Sequence, residues 1–456
     1  DEGGEDRDGL IQVRPGVKDL DLGSAKYAQV RISVGGTHYL KGMAMYSDDL
    51  PAGKDLVFNT NKPKGIPKEK VLKPLKDNAI NPFGTRIIDQ RGAFNIVNEE
   101  GSWDDWNGSK FSAQFLSKQP LSLVKDRIKA TYSSQQKEFD ELTSLSNPVV
   151  KKMLLNKFAE RVDKQEKELK LMGLPRTKAH VLLPFPDMKP NEVYAPNYNN
   201  GERVVLIRYP HAGTFEIPEL TVNNRATSPK KALGSALDAI GIHPSVAHKL
   251  SGADFDGDAV YVIPNNKKQI KSSPSLKGLK DFDPNIYQVA DGHKTIDSKT
   301  KQHQMGNVSN LISDMTIKGA SVSELTRAVR HSMVVIDSEK HNLDWKQSAR
   351  DNGIAALRKK YETRQSLSYD PETKSIKKGR KSIGGSTLIT RADSQLTVGQ
   401  KVKSYIDKRT GQSVTKTTPI KAYTLDLIND ASLLSSGNPK ENAYAGYINS
   451  LKALSS

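Results

Sequence analysis

The chain has 456 residues, 36% of them hydrophobic and 27% charged, which allows several domains with sizeable cores. The lack of cysteine excludes disulfides and thiolate metal sites, and no run approaches the roughly 20 apolar residues of a membrane helix. The net charge of +17 favours either a polyanionic partner, nucleic acid first, or a generally basic surface. The N-terminus has no secretory apolar region, so we expect a cytoplasmic protein.

Residues 1–110 are predicted to form a β domain. Glycine and proline break the short apolar runs YAQVRISVGG, HYLKGMAMY and KDLVFNTN, a pattern typical of strands and turns. Residues 111–178 are predicted to form a helical connector, because charged sequence with apolar residues every four positions replaces those runs. Within it, Asn147 can cap a helix whose first position is Pro148.

Strand character returns in residues 179–270, with the runs HVLLPF, RVVLIRYP and DAVYVIP. Residues 271–456 are predicted to be mainly helical with mobile basic loops. Ser321 and Glu324 have the spacing of a capping box at the start of one helix. The stretch 370–420 is basic, polar and glycine-containing, so we expect it to be mobile in part.

Three aspartates stand on alternate positions in SGADFDGDAVYVIP: Asp254, Asp256 and Asp258. Carboxylates this close repel one another, so we infer that a cation holds them, and oxygen ligands select Mg²⁺, Ca²⁺ or Mn²⁺. A calcium EF-hand loop fails, because its sixth position would be Ala259, not glycine, and its twelfth Asn265, not glutamate. The alternative is a structural turn before the apolar strand.

The sequence around the aspartates extends the pattern. The segment IHPSVAHKLSGADFDGDAVYVIP resembles the catalytic signature of the β′ subunit of multisubunit RNA polymerases. Upstream, VLIRYPHAGTF is similar to the segment of that family whose arginine lies near the ribose of the incoming nucleotide. The resemblance implies that Asp254, Asp256 and Asp258 are catalytic metal ligands and that Arg208 binds the substrate.

A second resemblance lies in the N-terminal β domain. The segment LKGMAMYSDDLPAGKDLVFNTNKPKGIP is similar to a β-subunit segment of the same polymerases, and Lys41 falls on the nucleotide-contacting lysine of that family. The family has another lysine some residues earlier, and no lysine stands at the equivalent position here. The resemblance therefore leaves two candidates for the second phosphate contact, Arg31 and Lys62.

A third stretch resembles single-chain polymerases with two barrels, which include eukaryotic silencing RNA-dependent RNA polymerases and phage-borne relatives. MGNVSNLISDMT is followed by LTRAVRHSMVVIDSEKHNLD, with a recurring string formed by His331, Ser332, Val335, Asp337 and Lys340. The alternative is a plain amphipathic helix. Together the resemblances imply an α+β fold: two double-psi β-barrels joined by a helical segment, with a mainly helical C-terminal region.

The implied function is synthesis of RNA from nucleoside triphosphates on a nucleic-acid template, most simply by a DNA-directed, phage-type RNA polymerase or its catalytic core. Mg²⁺ is the expected cofactor, with Mn²⁺ as a substitute, and the expected partners are template, RNA product and nucleotides, with no membrane. Further polymerase subunits or chain segments are also expected as partners. A phage protein would act in the host cytoplasm or be packaged in the virion. The alternatives are a silencing-type RNA-directed polymerase, an inactive nucleic-acid-binding relative and a calcium-stabilised structural protein.

Overall fold

The computed structural model separates into two compact units, and each is described by itself. The first unit consists of residues 1–110 and 173–275, and the second consists of residues 111–172 and 276–456. The residues that the structure describes are 7–60, 62, 65–103, 110–208, 216–250, 252–279, 282–290, 295–373, 375–383, 387–392, 394–406, 409 and 411–455.

The N-terminal part of the first unit is a seven-stranded sheet. Its strands, with one short helix, are β1 (Leu10–Val13), β2 (Tyr27–Val34), β3 (His38–Tyr46), β4 (Leu56–Phe58), α1 (Lys68–Val71), β5 (Lys73–Pro74), β6 (Asp89–Arg91) and β7 (Phe94–Glu99). The strand order is β4-β1-β3-β2-β7-β6, and β5 pairs with β3. Because side chains alternate along a strand, Ala28 and Val30 of β2 enter one core, while Tyr27, Gln29 and Arg31 lie on the opposite face.

The middle segment of the chain is helical. Its elements are β8 (Lys110–Ser112), α2 (Ala113–Lys118), α3 (Leu121–Thr143), α4 (Pro148–Glu168) and β9 (Lys170–Met172). The predicted cap of α4 is confirmed: the Asn147 side chain accepts hydrogen bonds from the backbone N–H groups of Val149 and Val150, and Pro148 is the first helical residue. Phe158 and Val162 are buried on the inner face of this helix.

The second part of the first unit is a closed six-stranded barrel. Its elements are β10 (Lys178–Pro184), β11 (Glu192–Tyr194), β12 (Arg203–Arg208), β13 (Glu219–Val222), α5 (Thr227–Leu233), β14 (Ala239–Ile242), α6 (Pro244–Ala247) and β15 (Ala259–Pro264). The order is β10-β14-β11-β13-β12-β15, with parallel pairs β10–β14 and β11–β13 among antiparallel ones. Leu182, Leu206, Ile240 and Val262 fill its interior.

A second core joins the sheet to the barrel within the first unit. Tyr27 and Met43 of the sheet pack with Val181 and Leu183 of β10, and all four side chains are fully buried. The face of β2 and β3 that carries Tyr27 and Met43 is therefore turned toward the barrel. This arrangement brings the polar residues of the same face toward the loop that precedes β15.

The C-terminal region of the second unit combines helices with two β-hairpins. Its elements are α7 (Ser298–Ile317), α8 (Val322–His341), α9 (Trp345–Asp351), α10 (Ile354–Tyr361), β16 (Thr363–Asp370), β17 (Ser375–Ile383), α11 (Leu388–Arg391), β18 (Gln395–Ile406), β19 (Ser413–Tyr423) and α12 (Pro439–Ser455), with short 3-10 helices at Pro284–Tyr287, Thr424–Leu427 and Ala431–Leu434. The predicted capping box of Ser321 and Glu324 is present at the start of α8.

The α+β class and the helical middle and C-terminal segments are confirmed, but the prediction of two barrels is corrected. In the described part of the chain only β10–β15 close into a barrel. The N-terminal sheet stays open because its outer strands, β4 and β6, have three residues each and do not pair with one another. The hairpins β16–β17 and β18–β19 were not predicted. None of the helices in the described residues is long and apolar enough to cross a membrane.

Candidate active site

The three aspartates lie in one turn immediately before β15, and residues Asp254–Asp258 are called the aspartate loop. Phe255 is 1% exposed and packs into the barrel core, which anchors the loop between its first two carboxylates. Gly257 has a φ of 121°, and a Cβ there would lie 2.2 Å from the Gln29 side chain. The backbone conformation therefore favours glycine, and any larger residue would also displace the Gln29 side chain.

The three carboxylates converge. Each offers an oxygen atom, and these atoms all lie within 4.8 Å of one another. Burial and the neighbouring Asp258 carboxylate raise the pKa of Asp254 to about 6, although Lys41, Arg208 and Lys73 act in the opposite direction. A converging oxygen donor set whose negative charge is incompletely compensated fits a hard divalent cation.

Two of the predicted basic residues contact the aspartate loop. Lys41 of β3 forms an ion pair with Asp256. Arg208, the last residue of β12, donates from Nη2 to Oδ2 of Asp258 at 2.6 Å. The same Asp258 oxygen accepts the backbone N–H of Asp254 at 3.0 Å. The sheet and the barrel therefore each contribute a cation to one carboxylate cluster.

Contacts from the residues just before β1 and from a side chain of β2 hold the aspartate loop in place. The N–H of Phe255 donates to the carbonyl of Asp8 at 2.7 Å, and Nε2 of Gln29 donates to the carbonyl of Asp256 at 2.8 Å. Gly9 has a φ of 92°, and a Cβ on it would lie 2.5 Å from the backbone nitrogen of Asp256. The loop and the strand are thus in direct van der Waals contact at a position that accepts only glycine.

The two candidates for a second phosphate contact occupy different environments. Arg31 lies opposite Lys41 in the β2–β3 ladder and is 9% exposed. Its Nη1 donates to the carbonyl of Val30 at 2.9 Å, its Nε has no partner among the described residues, and burial lowers its pKa. Lys62 is exposed. No hydrogen bond or ion pair between the aspartates and either residue occurs in the described part of the chain.

Lys73 is a basic residue that sequence reasoning missed. It lies in β5 opposite Tyr39, and its positive charge acts on Asp254, whose pKa it lowers. A strand of two residues has no periodicity to detect, and the sequence VLKPLK around it contains no other distinguishing signal. Only the pairing of β5 with β3 brings this lysine near the aspartates.

Asp238, another aspartate of the first unit, lies in a different environment from the aspartate loop. Asp238 is fully buried and accepts the Tyr27 hydroxyl at 2.5 Å. Its other oxygen accepts the backbone N–H groups of Gly101 at 2.8 Å and Trp103 at 2.9 Å. All three donors belong to the N-terminal half of the unit, so this carboxylate fixes the sheet region against the barrel.

The string that resembles single-chain polymerases lies in α8 of the second unit. His331 is buried, with Nδ1 3.1 Å from Oγ of Ser348, and burial lowers its pKa to about 4. Val335 is buried on the same helix, which is therefore amphipathic. Of the remaining residues of the string, Ser332 and Asp337 are partly buried and Lys340 is exposed.

Comparison with known proteins gives one kind of match. No protein-family model matches the chain, and no curated protein matches it. The structure is similar to that of the RNA dependent RNA polymerase QDE-1 from Thielavia terrestris, a member of the two-barrel RNA polymerase family, with 15% sequence identity and a TM-score of 0.48. The match covers 76% of this chain and 46% of that chain, so this chain spans less than half the length of that polymerase.

Proposed function

We propose that the chain is a nucleotidyltransferase that synthesises RNA from nucleoside triphosphates on a nucleic-acid template, as a DNA-directed, phage-type RNA polymerase or its catalytic core. One observation carries the proposal: three carboxylates with oxygens within 4.8 Å of one another are faced by cations from a separate sheet. An acidic cluster for metal beside basic groups for phosphate suits phosphoryl transfer. A structural turn needs neither.

The aspartate loop would hold Mg²⁺, with Mn²⁺ as a substitute. When bound, a pair of such ions lowers the pKa of the RNA 3′-hydroxyl and neutralises the triphosphate and the leaving pyrophosphate. The chain itself supplies positioning. Phe255 fixes the loop on the barrel, and Gln29 holds the carbonyl of Asp256. The carboxylates therefore keep one arrangement through the reaction, which lowers the reorganisation needed at the transition state.

Lys41 and Lys73 would bind the triphosphate. Lys41 pairs with Asp256 in the structure, and once Asp256 ligates a metal ion, the Lys41 ammonium group can turn to a phosphate oxygen. Lysine is a compact point charge suited to that contact. Lys73 acts on the opposite end of the loop, at Asp254. The triphosphate would then lie between lysines of the sheet and carboxylates of the barrel.

Arg208 would orient the ribose. Its guanidinium group uses Nη2 for Asp258, and the planar fork has further N–H donors that point in fixed directions. A donor aimed at a ribose hydroxyl discriminates against the nucleotide that lacks it, because the donor is then left unpaired. Arg208 would thus couple the sugar of the substrate to the metal ligand Asp258.

The test is nucleotide incorporation on matched templates. Purified protein would be given labelled nucleoside triphosphates with single-stranded DNA or RNA of the same sequence, in Mg²⁺, Mn²⁺ or Ca²⁺. We expect extension in Mg²⁺ and Mn²⁺, stronger on DNA. Stronger extension on RNA would assign the RNA-directed alternative. Binding without extension on either template would assign an inactive relative, and stabilisation by Ca²⁺ alone would assign a structural calcium site.

The proposal covers the chain and not a complete transcription apparatus. Because the chain spans 46% of the polymerase to which it is similar, further subunits or chain segments would supply template separation or processivity. The incorporation assay therefore uses short single-stranded templates, which require neither. Extension of a few nucleotides is the expected outcome for a catalytic core.

A further inference from the structure

The outer half of the hairpin β18–β19 is mostly exposed on both faces. Its strands of 12 and 11 residues pair from Gln395 opposite Tyr423 to Ile406 opposite Ser413. Every residue from Lys401 to Ile406 is exposed, including Tyr405 at 51%. A two-stranded ribbon without a packed face buries little apolar surface, so the outer half of this hairpin contributes little to a core.

The base of the hairpin is fixed to the second unit. The N–H of Thr424 donates to the carbonyl of Ser394 at 2.8 Å. Lys167 of α4 forms an ion pair with Asp426 at 2.9 Å and lies 5.0 Å from the ring centre of Tyr423. The outer half is therefore presented from an anchored base.

One face of the outer half is basic and carries an aromatic ring. Because side chains alternate along each strand, Lys401, Lys403 and Tyr405 share a face, and Lys416 joins them because it pairs directly with Lys403. These four residues are called the basic face. The opposite face carries Val402, Ser404, Thr415 and Thr417, with Ser404 Oγ 3.2 Å from Thr415 Oγ1.

Among the described residues, the lysines of the basic face have no acidic partner. No ion pair or hydrogen bond joins the Lys401, Lys403 or Lys416 side chains to any other described residue. Lys403 and Lys416 stand directly opposite each other, and like charges in that position destabilise a hairpin. A chain of anions along the face would relieve this repulsion. The adjacent exposed tyrosine ring can in addition stack on a planar base.

We propose that the basic face of the β18–β19 hairpin binds a single strand of nucleic acid, with Lys401, Lys403 and Lys416 on successive phosphates and Tyr405 stacked on a base. The choice of nucleic acid over another polyanion rests on the proposed function. The choice of a single strand rests on Tyr405, because bases in a duplex are already stacked on one another. The hairpin would then bind template or product on the second unit.

The test is oligonucleotide binding by the full chain without metal, so that catalysis does not enter. The K403Q/K416Q double variant should bind labelled oligouridylate roughly tenfold more weakly at about 0.1 M salt. The slope of log K against log salt should fall by about 1.4, since each single-strand phosphate contact contributes about 0.7. Y405A should weaken binding roughly tenfold, and Y405F should bind like the parent protein because it keeps the stacking ring.

The matched control is K129Q/K137Q, which removes the same charge from two exposed lysines of α3. Binding lost equally in both double variants would reduce the effect to net charge and overturn the proposal. Tighter binding of a duplex than of either strand would also overturn it. K416E places a negative charge opposite Lys403, which favours pairing of the two strands. It should lose affinity as K403Q/K416Q does, and misfolding of the hairpin would then not explain the loss.

The two proposals fail separately. Hairpin-dependent binding in a protein that incorporates no nucleotide on any template would reject the polymerase and retain the hairpin site. If the protein incorporates nucleotides but K403Q/K416Q and Y405A leave its oligonucleotide affinity unchanged, the hairpin site is rejected and the polymerase is retained.

Discussion

Two regions of the first unit gather carboxylates, and they do so in opposite ways. Asp238 is fully buried and accepts three neutral donors, the Tyr27 hydroxyl and the N–H groups of Gly101 and Trp103. The aspartate loop instead places three partly exposed carboxylates within 4.8 Å of one another and opposite cations. In the first arrangement three donors satisfy one carboxylate, and in the second the Lys41 and Arg208 side chains pair with two of three carboxylates.

The two places differ in the groups that face the carboxylates: neutral donors face Asp238, and cations face the aspartate loop. Hydrogen bonds from neutral groups stabilise a single buried carboxylate, which then needs no bound cation. Three carboxylates in one turn repel each other, and such clusters are more frequent at functional sites than elsewhere in a fold. Mutations at the two places should therefore produce opposite results in stability and in activity.

The largest effect is expected for Asp256→Asn. The amide has nearly the same shape but removes one negative charge and one strong metal ligand, so incorporation should fall on the order of a thousandfold. The free energy of unfolding without metal should change little, because the decrease in repulsion within the loop offsets the loss of the Lys41 ion pair. Nucleotide incorporation and melting temperature, with and without Mg²⁺, measure the two effects.

The control for that prediction is Asp77→Asn, an exposed aspartate of the same unit, which should affect neither quantity. Full activity of the Asp256→Asn protein would remove the aspartate loop from catalysis.

The reverse result is expected for Asp238→Asn. Three donors converge on this side chain, and an asparagine supplies one acceptor oxygen and turns its own N–H donors toward the rest. The free energy of unfolding should fall by about 3 kcal/mol, seen in urea as a lower midpoint with an unchanged slope.

Asp187→Asn is the matched comparison, since Asp187 is exposed and accepts one hydrogen bond among the described residues, from the Ser228 hydroxyl. Its cost should stay below about 0.5 kcal/mol. Equal stability of the Asn variants at 238 and 187 would show that Asp238 does not hold the sheet region against the barrel.

A smaller effect is expected from the lysines that face the aspartate loop. Lys41→Ala should lower kcat/KM for nucleotides roughly thirtyfold, with Lys73→Ala somewhat less affected, because each removes a charge from the triphosphate. Oligonucleotide affinity should not change. Steady-state kinetics of these variants, measured beside Arg31→Ala and Lys62→Ala, would rank the phosphate contacts. The structure ranks Lys73 above Lys62, so a larger loss of kcat/KM for Lys62→Ala than for Lys73→Ala would contradict it.

The smallest effect is expected in sugar selectivity. Arg208→Lys retains a positive charge near Asp258 but loses the planar fork, so the preference for ribonucleotides over deoxyribonucleotides should fall roughly tenfold. Competition between the two nucleotides on one template measures the ratio directly. An unchanged ratio would restrict Arg208 to holding Asp258.

Features that depend on residues close together in the sequence could be predicted, and features that depend on distant contacts could not. The aspartates, the cap at Asn147 and the capping box at Ser321 are set by neighbouring residues, and all are where the sequence predicts them. Lys41 was found through resemblance, and the structure brings it to Asp256. The metal and substrate roles of these site residues stay predictions until the variants are measured.

The features that sequence reasoning missed depend on distant partners. Asp238 bonds to Tyr27 across 211 positions, and no local pattern marks it as the acceptor of three donors. Lys73 reaches the aspartates only through a two-residue strand. The open N-terminal sheet was mistaken for a barrel because closure depends on whether outer strands meet, which short runs of β-forming residues do not specify.

The contact of Gly9 with Asp256 has a consequence for how the protein is made. The strand after Gly9 leaves the ribosome well before the aspartate loop does: even Gln29, which binds the same loop, is 227 positions away from it. During synthesis the loop can therefore take its final shape only after the barrel has formed and docked on a waiting sheet, a non-local step of the kind that slows folding. A barrel expressed alone would carry all three aspartates and yet lack the support that shapes their loop.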